Sequence, residues 1–135
     1  MLARIYVHNY RTFVHFEWRP PMACVLVGDN GSGKSALLDV LWLVREVVVE
    51  GKRIDELGFP ATRTAWLDEA EQVIELEIER GGDRFTYRLE CRLELANQSD
   101  RSRVTIVESL VSSDGLLYQS KDGKAELYGE EGLTT

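Results

Sequence analysis

A glycine-rich segment at residues 28–35 carries the side chains best suited to chemistry. It fits the pattern G-x-x-x-x-G-K-[ST], in which successive backbone N–H groups turn inward around the phosphates of a nucleotide. The Lys34 side chain would then reach the β- and γ-phosphate oxygens, and the Ser35 hydroxyl would bind Mg²⁺. We therefore predict a nucleotide site formed by Gly28, Asp29, Asn30, Gly31, Ser32, Gly33, Lys34, Ser35 and Ala36.

Two predicted elements would position this loop. Residues 22–27 form an uninterrupted apolar run, which is typical of a strand buried on both faces. Residues 36–49 are rich in helix formers, and one face of that helix would carry Leu37, Leu41, Val44 and Val48. Free N–H groups and the helix dipole would converge at the helix N-terminus, so this arrangement favours an anion. The competing interpretation is a glycine-rich turn that precedes Lys-Ser by chance.

The size and composition of the chain indicate one globular domain. It has 135 residues, of which 44% are hydrophobic and 29% charged, enough for one core and too few for two ordinary domains. No apolar run approaches the ~18 residues of a membrane span, so we expect no membrane contact. Cys24 and Cys91 each lie in a strand-like pattern, which favours two buried free thiols in a reducing cytoplasm over a disulfide.

Charge is unevenly distributed along the chain. The net charge is −7, of which residues 1–63 carry +1 and residues 64–135 carry −8. An acidic second half is poorly suited to hold a nucleic-acid backbone. We therefore expect any nucleic-acid contact to involve a local surface or a partner.

Around the loop, the first half predicts short strands and an irregular linker. Leu2–His8 and residues 12–18 have strand character, and two prolines follow the second strand. Residues 51–72 predict the linker, with residues 66–72 as the best candidate for a short helix. We expect His8 and His15 to be exposed strand or edge residues, because no paired nucleophile or carboxylate is evident.

Residues 73–95 predict an antiparallel hairpin, because apolar and charged residues alternate on both sides of Gly81-Gly82. A two-residue turn at these glycines would pair Ile78 with Phe85, Leu76 with Tyr87 and Ile74 with Leu89. The same register would pair Glu79 with Arg84 and Glu75 with Arg88 on the solvent face. One register satisfies both faces of the hairpin.

Further strands are predicted at residues 104–111, 116–120 and 125–128, separated by turns at Asp114-Gly115 and at residues 121–124. The second half is therefore expected to be an antiparallel meander with one apolar face. The predicted fold class is α/β (α+β): a strand, phosphate loop and helix joined to N-terminal strands and a meander. We predict a single lobe over residues 1–135, divided into 1–50, the irregular linker 51–72 and the β subdomain 73–129.

Four features resemble the N-terminal lobe of a RecF/SMC/ABC-type AAA-family ATPase. The first strand is followed by the "NFR"-like Asn9-Tyr10-Arg11, and the phosphate loop has the form G-x-N-G-S-G-K-S. Leu37-Leu38-Asp39-Val40-Leu41 is similar to the family's "LLDAI" helix, and Val107-Glu108-Ser109-Leu110 is similar to its "E-x-L" strand. The resemblance covers most of the chain and is strongest in the first 45 residues.

The resemblance implies ATP binding with Mg²⁺, and hydrolysis only in a composite site between two ATPase heads. Arg11 would approach the phosphates, and Asn30 would lie beside the γ-phosphate. The family's signature motif, its switch histidine and a credible acidic strand for Mg²⁺ and water are not found, and Gln119 is the nearest match to its inter-lobe glutamine. The sequence therefore looks truncated, and the expected partners are a C-terminal ATPase lobe and a second head in a homodimer.

Several alternatives remain open at this point. Residues 65–69 superficially resemble the acidic strand, with Glu69 as the candidate acid. Residues 55–58 and 97–100 weakly match GTPase motifs, and a small-molecule kinase would need an acceptor pocket. A nucleotide-binding assembly module that does not hydrolyse ATP is a further alternative. We expect the three tryptophans to be core or lobe-interface residues rather than stacking platforms; they are Trp18, Trp42 and Trp66.

Overall fold

Strands dominate the part of the chain that the computed structural model describes, which is residues 1–22, 33–54, 56–95, 102–129 and 132–134. One α-helix, α1, spans Lys34–Val48, and a 3₁₀ turn spans Phe59–Thr62. The strands are β1 (Leu2–His8), β2 (Phe16–Trp18), β3 (Glu71–Arg80), β4 (Asp83–Leu95), β5 (Ser102–Ser112), β6 (Gly115–Lys121), β7 (Lys124–Gly129) and β8 (Gly132–Thr134).

All eight strands belong to one sheet, in the order β2-β1-β3-β4-β5-β6-β7-β8, and every described pair is antiparallel. From β3 onward the sheet is a simple meander, as predicted. β1 lies between β2 and β3, so the start of the chain pairs with a strand from its middle. The described part is thus mostly antiparallel sheet with one helix, consistent in outline with the predicted mixed class. The apolar run at residues 22–27 lies almost wholly outside the described residues.

The hydrophobic core lies between α1 and the inner strands. Ile5 and Val7 of β1 and Ile74 of β3 are fully buried, as expected for apolar residues that alternate toward one face of a sheet. The helix contributes a stripe with helical spacing, formed by Ala36, Leu37, Val40, Leu43 and Val44. Phe59, from the 3₁₀ turn, and Cys91 of β4 complete this core; Cys24 lies outside the described residues.

The predicted helix face is only partly buried at its C-terminal end. Val48 is 57% exposed, although Leu37 and Val44 are buried as expected. The last turn of α1 lines an open cleft together with residues of β4, β5 and β6. Gly51, the expected helix stop, has a φ of 68° three residues beyond the helix end.

The β3–β4 hairpin confirms the predicted register at all five pairs. Gly81 and Gly82 have φ values of 60° and 82°, which a two-residue hairpin turn requires and glycine adopts without strain. The solvent face is better covered than the pattern indicated. Arg4 of β1 lies against Glu75, at 2.5 Å, and leaves that carboxylate only 16% exposed.

Two short elements differ from their predictions. Residues 12–18 contain only the three-residue β2, because Tyr10 and Phe13 exchange backbone hydrogen bonds and form a turn. Residues 66–72 form no helix, because Trp66 lies in a turn, residues 67–70 have no regular structure and β3 begins at Glu71. Tertiary hydrogen bonds from Asn9 hold that segment, which local sequence preference could not reveal. Among the described residues, no helix has the length and apolar character needed to cross a membrane.

Candidate nucleotide site

The N-terminus of α1 has backbone features that would suit an anion. Gly33 precedes the helix with a φ of 99°, a conformation that favours glycine. Because the capping residue has no side chain, the first helical N–H groups receive no acceptor from it. No acidic residue lies in the first turn to oppose an anion. The Ser35 hydroxyl is on an exposed residue, while Ala36 is buried in the core.

An open cleft of about 840 Å³ lies at this helix end. Its walls come from the helix N-terminus, from the turn after β1, and from the 3₁₀ turn with the segment that follows it. The described lining residues carry neutral or basic side chains; they are Arg11, Thr12, Gly33, Lys34, Ser35, Ala36, Ala61, Thr62, Arg63, Ala65 and Trp66. The structure therefore brings Arg11, Lys34 and Ser35 to one cleft. The other predicted site residues, Gly28 to Ser32, lie outside the described part of the chain.

Arg11 is held beside this cleft by contacts of its backbone and its side chain. Its backbone N–H donates to the Thr62 carbonyl at 2.6 Å, and its guanidinium lies 3.2 Å from the Asp39 carboxylate of α1. The guanidinium carbon is also 5.7 Å from the centre of the Tyr10 ring. Tyr10 and, to a lesser extent, Asp39 raise the pKa of Arg11, so its positive charge is secure. Half of the side chain remains exposed to a ligand.

Asn9 connects the walls of the cleft. It is fully buried, and its φ of 58° is one that asparagine tolerates better than most residues. Its side-chain N–H₂ donates to the carbonyls of Glu69 and Glu71, at 2.8 and 3.0 Å, and its side-chain oxygen accepts from Thr64 N–H at 2.9 Å. Gln72 adds a hydrogen bond from its amide to the Asn9 carbonyl, at 3.0 Å.

These positioning residues were missed at the level of sequence. Asn9 was named only within the Asn9-Tyr10-Arg11 motif, with no structural role of its own. Gln72 was assigned to a helix, and Thr62 and Thr64 were assigned to the irregular linker. The available signal was an asparagine directly after an apolar strand, because asparagine both accepts a left-handed backbone and bonds neighbouring backbone groups.

A separate cluster lies on the other face of β1. His8 is buried, which corrects the expectation that it is exposed, and its ring stacks on exposed His15 with centroids 4.0 Å apart. The His15 backbone N–H donates to His8 Nδ1 at 3.2 Å, so the His8 proton is on Nε2 and is donated to Glu69 at 2.5 Å. His15 Nδ1 in turn lies 2.9 Å from the Tyr6 hydroxyl.

This cluster is better explained as a structural hydrogen-bond network than as a metal centre. Ligand atoms of His8, His15 and Glu69 lie within 4.8 Å of one another. However, the rings are within 21° of parallel, so their lone pairs point side by side rather than toward one ion. Both His8 nitrogens also have hydrogen-bond partners. The cluster joins His8 to His15, which lie before and after the turn that carries Arg11.

The alternative assignments can be compared with the described geometry. Residues 65–69 form no strand, and the Glu69 carboxylate contacts His8; Glu69 lines a third cleft, whose lining does not include Lys34. Gln119 is an exposed residue in the middle of β6. Asp55 and residues 97–100, on which the GTPase alternative depended, lie outside the described residues.

The tryptophans also differ from expectation. Trp18 packs against the core, whereas Trp42 and Trp66 are 52% and 68% exposed. The core half of the expectation was therefore wrong for both, and a lobe-interface position stays a prediction. Only Trp66, of these two, lines the cleft at the helix N-terminus.

Comparison with known families supports the loop assignment. A family model described as "AAA domain, putative AbiEii toxin, Type IV TA system" matches residues 24–122. A second model, described as the P-loop containing region of AAA domain, matches residues 2–44. No curated protein matches the chain.

Proposed function

The chain belongs to the family of P-loop AAA domains, and we propose that it binds ATP with Mg²⁺ in the cleft at the N-terminus of α1. One observation carries the proposal: the described lining of that cleft is neutral or basic in a chain of net charge −7. Arg11, Lys34 and Arg63 supply the positive charge. A polyphosphate is the ligand that such a lining favours most.

Each part of the cleft has a proposed task. The N–H groups at the start of α1, together with the loop of residues 28–33, would hold phosphate oxygens. Lys34 would neutralise the β- and γ-phosphates, and Arg11 would add a second cation from the turn after β1. Asn30 would lie beside the γ-phosphate, as in the family that the motif resembles.

The residues present suit Mg²⁺. Ser35 offers a hard hydroxyl oxygen on an exposed residue at the second position of α1. Mg²⁺ in nucleotide sites usually keeps several waters, and Ser35 is the residue of this motif that would help to hold it. When bound, Mg²⁺ would neutralise part of the phosphate charge. Ser35 would orient that end of the nucleotide.

The more specific proposal is that the chain is part of a RecF/SMC/ABC-type ATPase head, in which hydrolysis also needs a C-terminal lobe and a second head. Phosphoryl transfer depends on positioning and charge stabilisation around the γ-phosphate. Neutral and basic side chains in the described lining are suited to hold phosphate rather than to activate water. We therefore propose a composite site completed by a C-terminal lobe and a second head. A nucleotide-binding assembly module remains the second candidate, and the same lining favours it.

Titration calorimetry with ATP and Mg²⁺ tests the common core of these proposals. Lys34→Ala should weaken binding at least tenfold, because it removes a charge-assisted contact. Lys124→Ala, which removes an exposed lysine at the start of β7, is the matched control and should bind like the wild type. Equal affinity of the Lys34→Ala and Lys124→Ala proteins would reject Lys34 as a phosphate ligand.

A further inference from the structure

Trp66 presents a large aromatic ring to the nucleotide cleft. Its side chain is 68% exposed, and it lines the same cleft as Lys34, Ser35 and Arg11. An indole left in solvent beside a cleft is informative, because most side chains of this size bury the greater part of their surface. The residue is also close to Arg63, whose guanidinium can stack on aromatic rings.

The backbone around Trp66 is fixed although its side chain is not packed. Trp66 occupies a turn that closes with a hydrogen bond from Leu67 N–H to the Thr64 carbonyl, at 3.2 Å. Thr64 is buried, and its own N–H is bound by the Asn9 side chain. The preceding 3₁₀ turn is anchored by the fully buried Phe59. The indole is therefore held at the cleft by anchors on its N-terminal side and by the turn itself.

We infer that Trp66 stacks on the base of the nucleotide whose phosphates lie at Lys34 and Ser35. This inference rests on the proposed function and extends it from the phosphates to the base. The cleft volume of about 840 Å³ is within the range that small-molecule sites occupy. Its lining includes both the helix N-terminus, which would hold the phosphates, and the ring-bearing Trp66. Stacking uses the face of a base, so it selects a nucleotide over a bare polyphosphate without reading base edges.

Two ligands and two matched variants test the inference by calorimetry in the presence of Mg²⁺. The ligands are ATP and inorganic tripolyphosphate, which shares the phosphates but lacks the base. Trp66→Ala should weaken ATP binding about 5- to 100-fold and leave tripolyphosphate binding unchanged. Trp42→Ala removes an exposed tryptophan from α1 that does not line the cleft, and it should change neither affinity. Trp66→Phe should retain most of the ATP affinity, because it retains an aromatic face.

The outcomes separate this inference from the proposed function. Wild-type protein that binds neither ligand would overturn both. Wild-type protein that binds both ligands equally would overturn only the base contact. Equal losses for ATP and tripolyphosphate in Trp66→Ala would also overturn it, since the ring would then act on the phosphate end. A thermal midpoint within about 2 °C of the wild type, expected for a surface substitution, shows that the variant is folded.

Discussion

The side-chain oxygen of Asn9 accepts a hydrogen bond from the backbone N–H of Thr64, across fifty-five positions of sequence. This bond connects the end of β1 to the segment that carries Arg63 and Trp66. The same asparagine holds the backbone at Glu69 and Glu71. A single buried amide thereby fixes the spacing between two walls of the candidate site.

Removing the Asn9 amide should destabilise the protein and weaken nucleotide binding together. Asn9→Gly keeps the left-handed backbone accessible but leaves one buried N–H and two carbonyls without this partner. We expect a loss of about 2–4 kcal/mol in the free energy of unfolding, measured by urea titration. Asn9→Ala should lose more, because its φ of 58° is strained in alanine. Wild-type stability in both variants would show that Asn9 does not join the walls.

Arg11 should matter more for binding than for stability. The Arg11–Asp39 ion pair has both partners about half exposed, so it contributes only about 0–1 kcal/mol to folding. A charge-assisted contact to phosphate is stronger, and Arg11→Ala should weaken ATP binding about tenfold or more. Arg19→Ala, which breaks an exposed pair with Glu17, is the control and should leave ATP affinity unchanged. Similar ATP affinity for these two variants would contradict the role proposed for Arg11.

The hairpin turn provides a test of backbone strain. Gly82→Val should lower the free energy of unfolding by about 1–3 kcal/mol, because a β-branched residue disfavours a φ of 82°. A Cβ at this position would meet no atom within 4 Å, so the loss would come from the backbone alone. Gly129→Ala, also in open space but without a left-handed φ, should change stability far less. An unchanged unfolding midpoint for Gly82→Val would reject this turn geometry.

Glu75 should make stability depend on pH. Burial alone would raise its pKa, but hydrogen bonds from Arg4 and Arg88 reverse that effect and lower the pKa below its ordinary value of 4.5. A carboxyl with a lowered pKa in the folded state stabilises the protein above about pH 4.5, and this contribution is lost as the pH falls below that value. The unfolding free energy of the Glu75→Gln variant should therefore fall less between pH 6 and pH 3 than that of the wild type. Glu94→Gln, at a more exposed pair with Arg92, is the control and should follow the wild type.

Turnover by this chain alone should be negligible. We expect phosphate release from ATP by the wild type to match the background rate of Lys34→Ala at several protein concentrations, because removal of transition-state stabilisers from such sites typically costs ~10³–10⁵ in rate. Glu69→Gln should behave in the same way, since the Glu69 carboxylate is bound to His8. Robust wild-type release that disappears in both variants would overturn the composite-site proposal and restore Glu69 as the acid.

The parts of the fold that sequence predicted are those determined by neighbours in the chain. The β3–β4 register follows from strict alternation and two turn glycines, all within a few residues of one another. The region of residues 66–72 was misassigned because its conformation is imposed by Asn9, far away in sequence. The exposure of Trp66 could likewise not be predicted from the sequence, since it depends on where the turn after Thr64 lies relative to α1. Lys34 and Ser35 could be predicted as candidate site residues because their motif is local, whereas the bonds that bring Arg11 to the same cleft are not local.

The position of β1 between β2 and β3 has a consequence for how the protein assembles. Pairing β1 with β3 closes one loop that contains α1, the 3₁₀ turn and every described residue lining the nucleotide cleft. The entropy cost of that closure must be met before the contacts can form, whereas the β3–β4 hairpin needs only a two-residue turn. We expect the hairpin to be an early structure in refolding and the cleft a late one. Amide hydrogens of β1 should accordingly gain protection from exchange after those of β4.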